Sequence, residues 1–492
     1  MADLKTPGVY LDKINTGSAP IEGTSTSVCA FMGKAPRGDI ATGFVMISSW
    51  TDFVQKASFG CNDSVFRNDD FMAYNIYNFY QNGGGKAYFG VIKGTGAAKA
   101  KITLGTSDNI VTFTAKSAGT WANGITIIIK KNSLDDTLFD VVFQRNNGTS
   151  ENPKVEVYEQ YKALSNSTSA GTAYFVNALK SSDLVDVTVI GNGELAVSTG
   201  IVLAGGTEGT FESDSAEDSA LVGASGLIHK LDTLTDVSLI INGGETSETV
   251  LKGIIDYCSN RGDMYALLDA PNDSTVANIV STRQKLSGLG EIHYPFVTMS
   301  DPVTGVNVEV PASGMLAGIY ARFDASYGVW RAAAGTEAVL RGALGTVKTL
   351  TEAEYQTLFE AGVNCIIPKP NSGIVMYGAR SLGQKYVSDD RLDIYVTKSI
   401  KNGTEWAVFE LNDEKLWLRL RATILSFLDS LYQKGAFKGD GEGSAYYVTC
   451  DASLNTDANI ERGIVTAEWG YATKKPAEFV VHRLNKITAS SN

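Results

Sequence analysis

The 492-residue chain is longer than one ordinary hydrophobic core supports, so about three domains are expected. Its 42 basic residues are outnumbered by 54 acidic ones, and the net charge of -12 speaks against a nucleic-acid backbone as principal partner. A composition of 43% hydrophobic and 20% charged residues suits a globular protein, and five cysteines without a CxxC pair support neither a disulfide framework nor a thiolate zinc site.

The N-terminal MADLKTPGVYLDKINTG lacks an apolar core of signal-peptide length, and no stretch approaches about 18 uninterrupted apolar residues. Folding in the cytoplasm is the expectation. Residues 1–27 read as an extended arm, with Val9-Tyr10-Leu11 and Ile14 set among Pro7, Gly8, Gly17, Pro20 and Gly23. Residues 28–95 read as α/β: a strand near Val28–Met32, a helix after Ser49 with Asp52 as its capping-box partner, a helix over Asn68–Gln81 and a strand over Ala87–Ile92. Gly83, Gly84 and Gly85 before Lys86 raise a phosphate cradle as a possibility. The order helix–glycines–strand is the reverse of what such a loop needs, and Ala87 stands where Ser or Thr is required, so a helix stop and turn is the better reading.

Residues 96–205 are rich in Thr, Ser, Asn, Val and Ile and read as an inserted, mostly β domain, closed by an acidic linker from Glu208 to Asp218. Residues 206–365 return to alternation: strands over Val237–Ile241, Met264–Leu268 and Ile292–Met299, helices over Thr246–Asn260 and Asp273–Leu286, and a helix capped by Thr351 and Glu354. Residues 366–492 carry predicted strands at Ile366–Pro368, Ile374–Tyr377, Leu392–Val396, Ile464–Trp469 and Glu478–Leu484, and a long helix from Asp413 to Gln433. On that helix Leu416, Leu420, Ile424, Phe427 and Leu431 form an apolar stripe, while Lys415 and Arg419, with Arg421 nearby, supply positive charge for an acidic partner surface.

Candidate chemistry is sparse. His229, His293 and His482 have no metal-ligand spacing to one another, and Gly205–Gly209 precedes an acidic stretch rather than a dinucleotide helix. Arg261-Gly262-Asp263 sits where a helix ends. Asp269, at the end of a predicted strand, is the one carboxylate placed where open sheets hold functional groups. It underlies a competing reading as an α/β ligand- or nucleotide-binding enzyme centred on residues 237–299. A second competitor, suggested by the Ser/Thr/Asn-rich insertion, is a particle surface or receptor-binding protein.

Taken in order, several pieces resemble the contractile tail sheath proteins of phages and related injection systems. They are Thr6-Pro7-Gly8-Val9-Tyr10, Phe31–Gly38, Phe79–Lys86, Gly119–Gly124, Leu203–Gly209, Leu268-Asp269-Ala270-Pro271, Trp406–Trp417 and Pro476–Val481. No single motif is decisive, their shared order is specific, and residues 125–200 match least. The resemblance implies a multidomain sheath fold, α/β with α+β character overall: an α/β core built from N- and C-terminal parts and an inserted, mostly β outer domain. It implies a structural subunit, with no catalytic, cofactor or metal site, that forms a helical homo-oligomer around an inner tube protein. Baseplate and tail terminator or cap proteins would be further partners, with no direct contact to nucleic acid or membrane. Val9, Tyr10, Leu11, Ile14, Phe479, Val480, Val481 and Leu484 would join neighbouring subunits by strand addition, and Lys415, Arg419 and Arg421 would hold the tube. Assembly would take place in the bacterial cytoplasm, and the mature protein would reside in a virion tail or released injection particle.

Overall fold

A computed structural model describes residues 20–58, 65–106, 108–147, 152–272, 274–383 and 386–478. The chain divides into two compact units, one of residues 25–391 and one of residues 1–24 with 392–492.

The larger unit is organised by an eight-stranded sheet. Its first part supplies β1 (Cys29–Gly33), β2 (Phe44–Ile47), α1 (Trp50–Ser58), α2 (Met72–Gln81) and β3 (Ala87–Val91). Cys29, Ala30, Phe31 and Ala87 are enclosed, as expected of short apolar runs in a sheet covered on both faces. The helix expected from Asn68 begins only at Met72, because the Asp70 carboxylate accepts from the Met72 amide at 2.7 Å and the Lys34 amide at 2.8 Å and so holds residues 68–71 in a turn. At the far end the Gly84 amide donates to Phe79 O, and Gly83 takes φ 114°, so the glycine run is a helix stop.

The insertion follows. β4 (Lys101–Thr106), β5 (Asn109–Ala115) and β9 (Val185–Ile190) form one antiparallel sheet; β6 (Thr126–Lys131), β7 (Phe139–Asn146), β8 (Val155–Leu164) and β10 (Ser198–Val202) form another, with a short α3 (Phe175–Ala178) between β8 and β9. Alternate residues of β5 point inward, and Val111, Phe113, Trp121, Ile127, Val141 and Phe143 meet in a shared core. The two chain crossings into this sandwich pair with each other at Thr95–Thr210 and Ala98–Thr207. Glu208, on the returning crossing, accepts from Arg67 at 2.8 Å and from Thr120 at 3.3 Å. Part of the expected acidic linker is helical: α4 (Asp214–Val222) starts at Ser213, whose side chain accepts from the Ala216 amide, with Asp214 and Glu217 in the first turn where the helix dipole favours them.

The chain then completes the main sheet with β11 (Leu239–Ile241), α5 (Glu248–Arg261), β12 (Tyr265–Asp269), α6 (Val276–Gln284) and β13 (Gly290–Tyr294). The expected single strand over Ile292–Met299 is split at Pro295, which has no amide hydrogen to continue a ladder. β14 (Val297–Ser300) instead joins β15 (Asn307–Val310) and β16 (Ala343–Thr346) in a separate small sheet, with α7 (Ser313–Tyr327) between β15 and β16. After α8 (Glu352–Glu360), whose Thr351–Glu354 capping box is present in full, come β17 (Asn364–Lys369) and β18 (Gly373–Tyr377). The strand order is β18-β17-β13-β12-β11-β1-β3-β2, parallel from β17 through β3 with an antiparallel strand at each edge. N-terminal and central segments thus interleave in one α/β sheet, and the boundary expected at 365/366 falls inside β17; the contact division lies at 391/392.

That division lies within α9 (Val387–Gly403), where a strand was expected over Leu392–Val396. The short window alternates, but Leu392, Val396 and Ile400 are buried at four-residue spacing, the period of a helix. The smaller unit continues with α10 (Glu414–Gln433), β19 (Tyr446–Thr449), α11 (Asp457–Glu461) and β20 (Glu468–Tyr471). Asp413 caps α10 by accepting from the Leu416 amide at 2.9 Å, and Leu416, Leu420, Ile424, Phe427 and Leu431 are buried as the stripe predicts. β20 begins four residues later than the predicted Ile464–Trp469 and pairs antiparallel with β19.

Candidate functional site

In an open α/β sheet a ligand crevice forms beyond the carboxyl ends of the strands where their order reverses, which here is between β1 and β11. Gly33 and Lys34 leave β1 at this point, and side chains of the chain itself fill the space. A Cβ on Gly33 would lie 2.6 Å from Asp70 Oδ2, and Lys34 Nζ is held by Glu217 at 2.7 Å. Burial raises Asp70 to about 7; burial, then the nearby Glu217 charge, raises Glu245 to about 6. A crevice occupied by carboxylates whose one lysine is already paired disfavours a phosphate-bearing ligand.

Asp269 ends β12 as expected but is only 2% exposed. Its Oδ1 accepts from the Ala312 and Ser313 amides, each at 3.0 Å, so the carboxylate satisfies the free donors at the start of α7. Burial pushes its pKa up, and those donors work against the shift. His293 lies in the same interior, with Nδ1 2.9 Å from Leu268 O and Nε2 3.4 Å from Glu291. These groups join strands and a helix, and all three side chains are buried. Lys86 pairs with Asp236 across the surface, and Gly262 (φ 73°) caps α5 while Arg261 holds Asp263 at 2.6 Å, so neither the glycine–lysine run nor the Arg-Gly-Asp triplet presents a free recognition loop.

The smaller unit carries the accessible features. Leu416, Trp417, Leu420 and Cys450 pack with Trp406, Ala407, Ile460, Val465 and Ala467, fixing α10 beside the segment that links the antiparallel pair β19 and β20. The three basic residues expected on one partner-binding face are treated differently. Lys415 is exposed. Arg419 is half-buried with its guanidinium 4.3 Å from the Trp406 ring centre. Arg421 turns inward: Nε donates to Val448 O at 3.0 Å and Nη2 to Glu442 at 3.0 Å. Arg421 therefore closes the outer edge of β19, as does the Gly443 amide on Tyr446 O at 2.8 Å. Among the described residues no strand lies on the outer side of β20, which leaves that edge open. Val9, Tyr10, Leu11, Ile14, Phe479, Val480, Val481 and Leu484 lie outside the described residues, as do Cys61 and His482.

Sequence reasoning missed the chain just before α10. Val408 is 64% exposed, Phe409 103%, Leu411 81% and Leu418 57%, and Phe409 adopts φ 69°, a left-handed conformation that an aromatic residue rarely takes. The signal was available: Val408-Phe409-Glu410-Leu411 lies between the turn of Trp406 and the Asp413 cap, outside the helix that would bury it.

Comparison with known proteins gives a consistent result. A family model described as the phage tail sheath protein central domain matches residues 222–382, and one described as the phage tail sheath protein beta-sandwich domain matches residues 93–210, together more than half of the chain. A tail sheath protein of Vibrio phage KVP40 is 24% identical over 314 residues, 56% of this chain and 46% of that protein. A putative prophage major tail sheath protein of Pseudomonas aeruginosa is 24% identical over 300 residues, 56% of this chain and 75% of that protein. The match thus spans less than half the length of the first of these relatives. Among solved structures, the helical sheath of the anti-feeding prophage in the contracted state superposes with TM-score 0.60 at 18% identity, covering 97% of this chain and 98% of that one. A sheath tail protein from Listeria innocua gives TM-score 0.62 at 14% identity, covering 88% and 90%.

Proposed function

The chain belongs to the contractile tail sheath family, and from that premise we propose that it is a structural subunit that polymerises helically around an inner tube and shortens to drive the tube through a target envelope. The observation that carries this reading is the likeness over 97% of the chain to a sheath in its contracted state. The chain acts as a mechanical part without cofactor or catalytic centre. Energy is stored when subunits assemble in an extended lattice, and a baseplate signal releases them into a shorter one of lower free energy. Its partners are copies of itself, the tube protein, the baseplate and a terminator or cap protein. The subunit is made in the bacterial cytoplasm and ends in a virion tail or a released injection particle.

Chain-to-chain strand addition supplies the links. The open edge of β20 is the acceptor, since Arg421 and Gly443 occupy the carbonyls on the far side of β19. Segments around Val9–Ile14 and Phe479–Leu484 are the donors. A four-residue edge offers a few backbone hydrogen bonds of about 0.5–1.5 kcal/mol each, weak singly and large when repeated along a lattice. A head-to-tail contact of this kind propagates as a helix. Lys415, exposed at the start of α10, and Arg419 beside it face the tube.

Negative-stain electron microscopy of the purified chain, beside a version lacking residues 1–20, tests the proposal. Long hollow tubes from the intact chain alone are the expected result. Monodisperse particles from the intact chain both alone and in the presence of tube protein would sink it.

A further inference from the structure

Val408, Phe409, Leu411 and Leu418 are exposed apolar side chains within eleven residues of sequence; the loop that carries the first three is acidic, while Lys415 and Arg419 flank Leu418 on α10. Between residues 405 and 414 stand Glu405, Glu410, Asp413 and Glu414 without a lysine or arginine. One segment of the same chain has the complementary chemistry. Residues 479–492 carry Phe479, Val480, Val481, Leu484 and Ile487 with Arg483 and Lys486, and contain no carboxylate side chain. We propose that in the unassembled subunit this C-terminal segment runs back along α10 and covers the cluster, with Arg483 and Lys486 meeting the acidic rim.

Chain length and position support the contact. The segment departs from the end of α10 opposite the cluster: Lys474 Nζ donates to Gly435 O at 2.7 Å, and the Lys438 amide donates to Ala472 O at 2.9 Å. The 20 residues of α10 span about 30 Å, and the 14 residues from Phe479 onward reach up to about 46 Å when extended. The route is prepared. Leu418, Ala422, Ser426 and Ser430 are exposed at four-residue spacing and form an uncharged track along the helix. Its upper end is the apolar cluster, where Phe409 is held outward.

The contact itself stands on these observations, and its consequence rests on the sheath reading. The covering segment contains the expected donor strand Phe479–Leu484, so docking in cis withholds that strand and hides the apolar cluster until a neighbouring subunit competes for it. A second copy or the tube protein seated on the same cluster are the other outcomes.

Trypsin cleavage after Arg483 and Lys486, followed by mass spectrometry on full-length chain shown by sedimentation to be monomeric, reads the contact directly. The intact chain is compared with Phe409→Ser/Leu411→Ser and with Glu410→Lys/Glu414→Lys. These side chains are exposed, so circular dichroism and urea midpoint should be unchanged. Cleavage about tenfold faster in both variants than in the intact chain is expected. Equal rates in all three, fast or slow, overturn the proposal, and protection that grows with protein concentration assigns the cluster to a second copy instead. Tube formation is scored separately on the intact chain, so a failed sheath reading leaves the protease result interpretable.

Discussion

His293 directs Nε2 at the Glu291 carboxylate across 3.4 Å while its Nδ1 lies 2.9 Å from the Leu268 carbonyl oxygen, and both side chains are sealed from solvent. Both ring nitrogens face acceptors, and Glu291 Oε2 already accepts from Asn364 at 2.7 Å, so the ring is best satisfied carrying both protons. Burial alone lowers the imidazole pKa. The Glu291 charge and hydrogen bond, with Asp269 and the Leu268 carbonyl, outweigh it and leave the value raised.

A raised histidine stabilises fully below its unfolded pKa of about 6.5, and that stability is lost as pH rises through the folded value. The urea midpoint of the larger unit should therefore fall as pH increases from about 6.5 upward. His293→Gln should lower the midpoint at pH 6 and flatten the slope. Identical slopes in the two chains would show that His293 does not hold the extra proton.

Arg391 and Asp324 form a second enclosed pair. Nη1 and Nη2 donate to the two carboxylate oxygens at 2.9 and 2.5 Å, Nη2 also donates to Thr26 O at 3.0 Å, and the guanidinium lies 4.4 Å from the Tyr320 ring centre. Removing one partner strands a buried charge, so Asp324→Ala should cost about 3–5 kcal/mol in urea unfolding. Asp324→Leu combined with Arg391→Met should cost less than the single change, because no charge is left unpaired. A single-variant loss below about 1 kcal/mol would mean that water reaches the pair.

Local signals carried much of this architecture. The Thr351–Glu354 box, the stripe from Leu416 to Leu431 and the glycine stop after Gln81 depend on neighbours within a few turns, and each is legible in order along the chain. Three kinds of information were not. Leu392–Val396 alternates over five residues, and only the longer window through Ile400 reveals the helical period. The apolar run Ile292–Met299 reads as one strand, yet Pro295 within it cannot donate to a ladder. Long-range pairing was invisible: nothing local tells that Arg421 is committed to Val448 and Glu442 whereas Lys415 makes no such tie among the described residues, or that Asp269 is spent on the start of α7. The strand-adding residues fall outside the described segments, so they rest on the resemblance and on the open β20 edge.

That difference between Lys415 and Arg421 separates binding from folding. Lys415→Glu leaves all described hydrogen bonds in place and should change subunit stability by less than about 0.5 kcal/mol while reducing co-assembly on the tube. Arg421→Glu removes the donor to Val448 O and sets like charge against Glu442, so its assembly defect should come with a lower melting temperature. Co-sedimentation with tube protein, beside thermal melts, distinguishes the two. Unimpaired co-assembly of Lys415→Glu would remove this residue from the tube-facing surface.

Strand addition to β20 makes a prediction with period two. Along a strand paired on one side only, alternate residues donate to the neighbour and the rest point their amides away. Proline removes the amide hydrogen and is tolerated only at the outward positions. Of Val480→Pro and Val481→Pro, one should therefore abolish tube formation and the other should leave tubes intact, with urea midpoints of the free subunit unchanged in both. Loss of tubes in both variants would place the segment between two strands, and tubes from both would mean that the C-terminal segment adds no strand. The parity of the tolerated proline then fixes which of Phe479, Val481 and Arg483, or Val480, His482 and Leu484, carry the amides that pair with β20.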